Sequence, residues 1–396
     1  MTADIPFYLH KVECPLCGTI NEFETIKVGA FKVEGKDTDF RPIGIRWANP
    51  KYQRYNPALF FVATCSKCFY SREYNSKFRE WKKDVQFKNY RLKTIKGLHM
   101  EHIAPENSVL RILGSKLDHE KYPLQTAINK LLLAVYDELL LDRHSNMDVA
   151  KFFIRVAWLF REGRSSDTAD RDVYLGYLSN LGDDVRNLGS VFDRLNEIVI
   201  NLQQSINNHI NDPSFESNPL ASELKQGYTE AFNHLSSANK QLDSAIKHIQ
   251  ETINVSGNVS MTAVGEDAFS MPYDEYPSYR DFLMKLRGMW EYAPLNEHDA
   301  LKSAFEFYRA SYESGHEVSL GNPKIQIEYL MAELCRRLHR YNDAKKYFNA
   351  AIRSAQEFIY EHRGDKSATV LARQTLDLAL TQGKINLQAA APVEAK

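Results

Sequence analysis

The chain of 396 residues has no long apolar run and only five cysteines. Its most apolar stretch, Leu131 to Leu141, is broken by Asp137 and Glu138, so it falls short of the roughly 18 residues that cross a bilayer. The N-terminus lacks the basic start and apolar run of a secretion signal. With 43% apolar and 26% charged residues, the composition is typical of a globular protein, and we expect it in the cytoplasm.

The common catalytic motifs are also missing. The sequence contains no glycine-rich phosphate loop, no HExxH and no GxSxG, and its 12 histidines are scattered. These absences predict that the protein is not an enzyme.

The net charge of −1 is a cancellation between segments. Residues 1–100 hold 18 basic and 10 acidic side chains, whereas residues 165–275 hold 6 and 17. We therefore divide the chain into a basic cysteine module (1–100), a helical pair (101–164), an acidic insertion with its linker (165–275) and a helical repeat region (276–396).

Two CxxC pairs, separated by 47 residues, are the strongest signal. Four thiolates on two tight turns supply the closed tetrahedral sulfur set that Zn²⁺ prefers in structural sites. An iron–sulfur cluster and a redox dithiol are the alternatives. The predicted ligands are Cys14, Cys17, Cys65 and Cys68. Gly18 suits the position after the first pair, whereas Phe69 predicts a less regular second turn.

Alternating residues predict strands around these pairs, at residues 24–31, at the following FKVEG run and at residues 58–64. The long separation predicts an insertion at residues 36–55. Within it, Asp37 and Asp39 flank a threonine. We interpret this motif as a turn whose side chains cap backbone amides, with an open catalytic metal site as the less favoured alternative.

Residues 71–100 interleave nine basic residues, including Lys82 and Lys83, with aromatic residues that include Phe78, Trp81, Phe87 and Tyr90. The pattern fits single-stranded nucleic-acid binding through phosphate contacts and stacking. It fits better an amphipathic segment that buries its aromatic side chains and exposes its basic face.

Residues 122–164 read as two helices, and more helices follow residue 299. Between Ile325 and Ala355, small residues alternate with Tyr341 and Phe348 at the offsets of a tetratricopeptide repeat. Such a unit stacks on neighbouring helices, which predicts a short α-solenoid with a surface for protein partners. We assign Lys82, Lys83, Tyr341 and Phe348 as candidate partner-binding residues, and Cys335 as a core residue.

The acidic insertion carries a regular heptad pattern. Two interlocked series begin at Leu178 and Leu181, and after a proline-containing break at 212–219 two more begin at Leu224 and Tyr228. The pattern predicts an antiparallel coiled-coil hairpin with these series in its seam. Helices that pack flat on the solenoid are the alternative. Residues 254–278 predict a non-helical return linker.

The order CPLCG, KDTDF, CSKC and helical pairs resembles a bacterial family, domain of unknown function 2225. The resemblance covers about residues 10–164 and 298–356, and the hairpin lies outside it. It implies the fold class α+β, mostly α: a zinc-ribbon-like module followed by a tetratricopeptide-like solenoid. The leading interpretation is a non-catalytic cytoplasmic adaptor for protein partners with a structural zinc ion. A nucleic-acid-binding protein and a metal-dependent enzyme using Asp37 and Asp39 are the alternatives.

Overall fold

Three motifs of the N-terminal region lie at the tips of two-stranded antiparallel hairpins. The structure is a computed structural model, which describes residues 5–164, 166–210, 220–262 and 267–390. The first cysteine pair joins β1 (Phe7–Glu13) to β2 (Ile20–Ile26), and the second joins β5 (Val62–Thr64) to β6 (Ser71–Glu73). The aspartate motif joins β3 (Phe31–Lys36) to β4 (Pro42–Trp47). Each motif is therefore held by the ladder beneath it.

The predicted strand at residues 58–64 is only half correct. Its first part is the 3₁₀ turn Pro57–Phe60, and β5 begins at Val62. Asn56 explains the change because its side chain accepts a 2.8 Å hydrogen bond from the Ala58 amide, which caps a helical turn rather than a strand.

Eleven α-helices follow in the described residues, so the predicted class, α+β and mostly α, is confirmed. Ser145 caps α4 and Asn296 caps α8, each by accepting a hydrogen bond from the backbone amide three residues later. The helices are α1 (Leu92–Ile103), α2 (Val109–Gly114), α3 (Pro123–Leu139), α4 (Asn146–Gly163), α5 (Ser166–Ile210), α6 (Ala221–Thr262), α7 (Tyr279–Met289), α8 (Glu297–Ser314), α9 (Asn322–Arg337), α10 (Tyr341–Glu361) and α11 (Lys366–Ala390).

The chain forms two compact units. The first contains Met1–Ser166 and Glu266–Lys396, and the second contains Asp167–Gly265. One apolar core in the first unit extends from Phe7 and Trp47 through α3 and α4 to α10 and α11. The cysteine module and the helical regions are thus parts of one unit because they share this core.

Helix α11 covers the helical pair α9 and α10. Ala372 and Ala379 of α11 are completely buried, and Phe348 of α10 lies against Gly383 of α11. Small residues of α11 therefore allow it to pack closely against α10. The groove of the Ile325 to Ala355 unit is filled by the chain itself.

The second unit contains α5 and α6, which run antiparallel. Asn239 Nδ2 donates a 2.6 Å hydrogen bond to Asn196 Oδ1, and Gly182 lies beside Ile253. We call this pair the helical hairpin. The predicted break at 212–219 falls outside the described residues, which resume at residue 220. The predicted linker is wrong in its first part because α6 continues to Thr262.

In the parts of the chain that the structure describes, no helix has the length and apolar character needed to span a membrane.

Candidate metal centre

The two cysteine turns have the same backbone geometry. Gly18 N donates to Cys14 O at 3.0 Å, and Phe69 N donates to Cys65 O at 2.9 Å. Both residues adopt the left-handed conformation, with φ of 75° for Gly18 and 62° for Phe69. The prediction of a less regular second turn is therefore wrong.

Tertiary packing explains why a phenylalanine accepts this conformation. The Phe69 ring lies directly over Gly114 of α2, where a Cβ would come within 2.1 Å of it. Ring burial against α2 offsets the strain of a left-handed non-glycine residue.

The turns bring the four cysteines together. All four Sγ atoms lie within 4.8 Å of one another, with Cys14 to Cys68 at 3.6 Å and Cys17 to Cys65 at 3.5 Å. None of them forms a disulfide. A metal ion about 2.3 Å from each sulfur of a tetrahedron requires edges of about 3.8 Å, so the spacing of this donor set is close to what a single ion requires.

Polar side chains hold the cluster from outside. Asn21 Nδ2 lies 3.6 Å from Cys65 Sγ and 2.9 Å from Thr19 O, and Asn21 Oδ1 accepts from the Ser66 amide at 2.8 Å. Thr19 Oγ1 lies 3.3 Å from Cys17 Sγ. Asn21 thus links the two turns, which are distant in sequence.

The sulfur atoms also control one another's ionisation. The neighbouring Cys65 thiol and burial raise the pKa of Cys14 to about 12. The Cys14 and Cys65 thiols likewise raise the pKa of Cys68. A thiolate disfavours the ionisation of a second thiol beside it. All four thiols therefore ionise when a bound cation compensates their negative charge.

A buried histidine supports the second turn, and the sequence pattern did not single it out. His99 Nε2 lies 2.8 Å from Cys68 O, and His99 Nδ1 lies 2.6 Å from Asp137 Oδ1. Asp137 Oδ2 accepts from the Ser71 amide at 2.7 Å. The carboxylate of Asp137 outweighs the effect of burial and raises the pKa of His99. This pair connects α1, α3 and the turn.

Asp37 and Asp39 form the predicted turn, in which Asp37 Oδ1 accepts from the Thr38 amide at 2.7 Å. They also make ion pairs with distant helices. Arg161 of α4 donates to both aspartates at 2.8 Å, and Arg337 of α9 donates to Asp37 at 2.8 Å. The guanidinium groups occupy the positions that a metal ion would need, and the acids are not in the cysteine cluster. The geometry opposes an open metal site there.

The basic segment 71–100 buries three of its aromatic side chains, Tyr74, Phe78 and Phe87, while Tyr90 is exposed. Lys82 Nζ contacts Glu13 at 2.7 Å, and Lys83 lies 3.6 Å from Glu80. The segment thus resembles the amphipathic alternative more than a row of stacking platforms.

The two helical candidates for partner binding, Phe348 and Tyr341, differ in how deeply they are buried. Phe348 is only 1% exposed and packs against Tyr329, so its assignment as a partner-binding residue is wrong. Tyr341 is half-buried, and its carbonyl oxygen accepts from Asn386 of α11 at 2.9 Å. Internal packing of α11 against α10 accounts for both positions.

Sequence comparison gives one family match. A family model described as "Uncharacterized protein conserved in bacteria (DUF2225)" matches residues 7–179 and 278–377. These segments contain the four cysteines, the aspartate turn and His99, whereas most of the helical hairpin lies between them. No curated protein and no solved structure matches the chain.

Proposed function

The chain belongs to the DUF2225 family, and we propose that it is a non-catalytic cytoplasmic adaptor whose cysteine cluster holds a structural zinc ion. The observation that carries this proposal is the closed set of four sulfur atoms within 4.8 Å. An all-cysteine tetrahedron leaves no coordination position for a substrate or an activated water molecule.

Zinc suits this set better than the alternatives. The four thiols surround one point rather than forming a pair that opens and closes, which disfavours a redox dithiol. The cluster also joins two short hairpins of three and seven residues per strand, which have little core of their own. A structural ion supplies the stability that such small modules lack.

The other polar clusters support a non-catalytic role. The carboxylates of Asp37 and Asp39 are neutralised by arginines, and the buried His99 is held between Asp137 and a carbonyl oxygen. Among the described residues, the four cysteines are the one group with metal-ligand geometry.

An adaptor requires a surface for protein partners. The α9 and α10 groove is closed by α11, so the proposal places this surface on the helical hairpin and on the exposed residues near Lys82 and Lys83. Nucleic acid is a less suitable partner because Phe78 and Phe87 are unavailable for stacking.

Metal analysis of the purified chain tests the zinc centre. We expect one zinc ion per chain, its loss in Cys65→Ser and its retention in Asp37→Asn. Zinc that is retained in Cys65→Ser, or iron in place of zinc, would contradict the proposal.

Affinity capture tests the adaptor role. The intact chain should retain a specific protein that a variant lacking residues 178–252, or one with Lys82→Glu and Lys83→Glu, retains less well. Capture of no specific protein, together with salt-sensitive binding of single-stranded RNA, would favour the nucleic-acid alternative.

A further inference from the structure

The helical hairpin exposes a regular apolar stripe that its own two helices leave uncovered. The seam where α5 and α6 meet buries Val185, Phe192 and Ile246, as a heptad pattern requires. The leucines of the second predicted series lie outside it, with Leu188 46% and Leu195 53% exposed. The prediction that these leucines form the seam is wrong.

Half-buried apolar residues also line the seam, namely Val199, Ile206, Tyr228, Phe232 and Ile253. Polar and small residues take many of the remaining seam positions. On α5 these half-buried positions are Gly182, Gly189, Asn196 and Gln203, and on α6 they are Ser236, Asn239, Asp243 and Gln250. A seam of this mixed composition buries less apolar surface than one with large apolar residues at every heptad position.

The exposed stripe follows a strict three- and four-residue spacing on both helices. On α5 it consists of Leu188, Val191, Leu195, Ile198 and Leu202, and on α6 of Ala231, Leu235, Ala238, Leu242, Ala245 and Ile249. All these residues are exposed. We call them the apolar stripe.

Both halves of the apolar stripe lie on the same face of the hairpin. Each stripe residue immediately precedes a seam residue, as Leu195 precedes Asn196 and Leu242 precedes Asp243. One residue corresponds to about 100° of rotation around a helix. Because the helices are antiparallel, the same rotation on each turns both halves toward one side.

We propose that this face binds the same face of a second copy of the chain, so that two hairpins form a four-helix bundle. The pattern on α6 is self-complementary under a two-fold rotation centred at residue 240. That rotation places Ala238 opposite Leu242, Leu235 opposite Ala245 and Ala231 opposite Ile249. Small residues then meet large ones, which allows two identical helices to pack closely.

Area and charge agree with a second copy as the occupant. The eight leucine, isoleucine and valine side chains of the apolar stripe, from Leu188 to Ile249, are 39–61% exposed. Together they present on the order of 800 Å², similar to one side of a standard protein interface. Residues 181–210 and 220–253 contain eight acidic and five basic residues, but none in the apolar stripe, so the stripe itself presents no charge to a second copy.

The solution mass of the intact chain tests the proposal, using light scattering after size exclusion over a range of concentrations. We expect the mass of two chains at micromolar concentration. Leu195→Lys with Leu242→Lys should raise the dissociation constant of the dimer at least ~100-fold, because it places charges in the buried interface between the two copies. The control, Gln204→Lys with Ser244→Lys, adds the same charge at exposed positions away from the apolar stripe and should leave the mass unchanged.

Circular dichroism at 222 nm shows whether the variants remain helical. If the lysine variant loses helicity, Leu195→Ala with Leu242→Ala serves instead, because alanine preserves helix propensity and should still weaken association. A wild-type chain that has the mass of one chain at every concentration overturns the proposal. Dimers that persist unchanged in the folded leucine variants overturn it as well.

Discussion

The completely buried Asp39 carboxylate accepts a 2.8 Å hydrogen bond from the Arg161 guanidinium, although the two residues are 122 positions apart. Arg161 continues the contact to Glu297 at 2.6 Å. The turn between β3 and β4, helix α4 and the start of α8 are therefore joined by one charged side chain. The planar guanidinium of Arg161 has several donors in fixed directions, which suits it to this position.

We predict that Asp39→Asn lowers the free energy of unfolding by about 3–5 kcal/mol, because it leaves Arg161 buried with an incomplete set of acceptors. Urea denaturation measures the change. The matched control is Glu22→Gln, at an exposed carboxylate paired with Lys11, which should change stability by less than about 1 kcal/mol. Equal effects of the two substitutions would show that the buried ion pair contributes little.

Asp37 should make the free energy of unfolding depend on pH in the acidic range. Burial alone would raise the pKa of Asp37, but Arg337, the Thr38 amide and Arg161 outweigh it and hold the pKa at about 2. Because this lies below the usual value near 3.9, Asp37 stabilises the fold by about 2 kcal/mol above pH 5, and this contribution is lost as pH falls toward 2. The difference in unfolding free energy between wild type and Asp37→Asn should shrink over that range. A constant difference would contradict the assignment.

Gly114→Ala should destabilise the protein by about 1–3 kcal/mol, because its Cβ would collide with the Phe69 ring. Gly97→Ala in α1 is the control: a Cβ there meets nothing within 4 Å, and the exchange should be neutral or stabilising. Thermal unfolding compares the two. In the double variant Gly114→Ala with Phe69→Ala, the two effects should not add, and simple additivity would argue against the contact.

His99→Ala should speed the transfer of zinc to a chelator and lower stability by about 2–4 kcal/mol. The substitution leaves the buried Asp137 without its imidazole partner and removes a hydrogen bond to the Cys68 carbonyl. His102→Ala, which alters an exposed contact to Tyr136, is the control. A chelator assay with a colour change on zinc binding follows the rate. Loss of stability with an unchanged rate of zinc transfer would show that His99 stabilises the core and does not help to hold the zinc ion.

Local patterns in the sequence were sufficient for the cysteine cluster and for most helices. A CxxC pair is three residues long, so its geometry follows from one turn, and Cys14, Cys17, Cys65 and Cys68 meet as predicted. The helices at 123–139 and 146–163 likewise follow from an apolar repeat, and Ser145 caps the second of them. The family resemblance is confirmed by the match over residues 7–179 and 278–377.

Residue spacing along the sequence could not predict contacts between distant parts of the chain. No spacing rule connects Asp37 with Arg337, which are 300 positions apart, or His99 with Asp137. The conformation of Phe69 depends on Gly114, which supplies the space for its ring. Each of these relationships exists only after helices from distant parts of the chain have packed together.

In the helical hairpin, too, the sequence determined one feature and the tertiary structure another. The sequence by itself determined that α5 and α6 carry apolar residues with heptad spacing, because periodicity is a property of a single helix. Only the tertiary structure decided which of two adjacent rows of residues faces the other helix. The rows at Leu188 and Gly189 differ by one residue, and contact between the helices, rather than hydrophobicity along either one, selects the row that is buried.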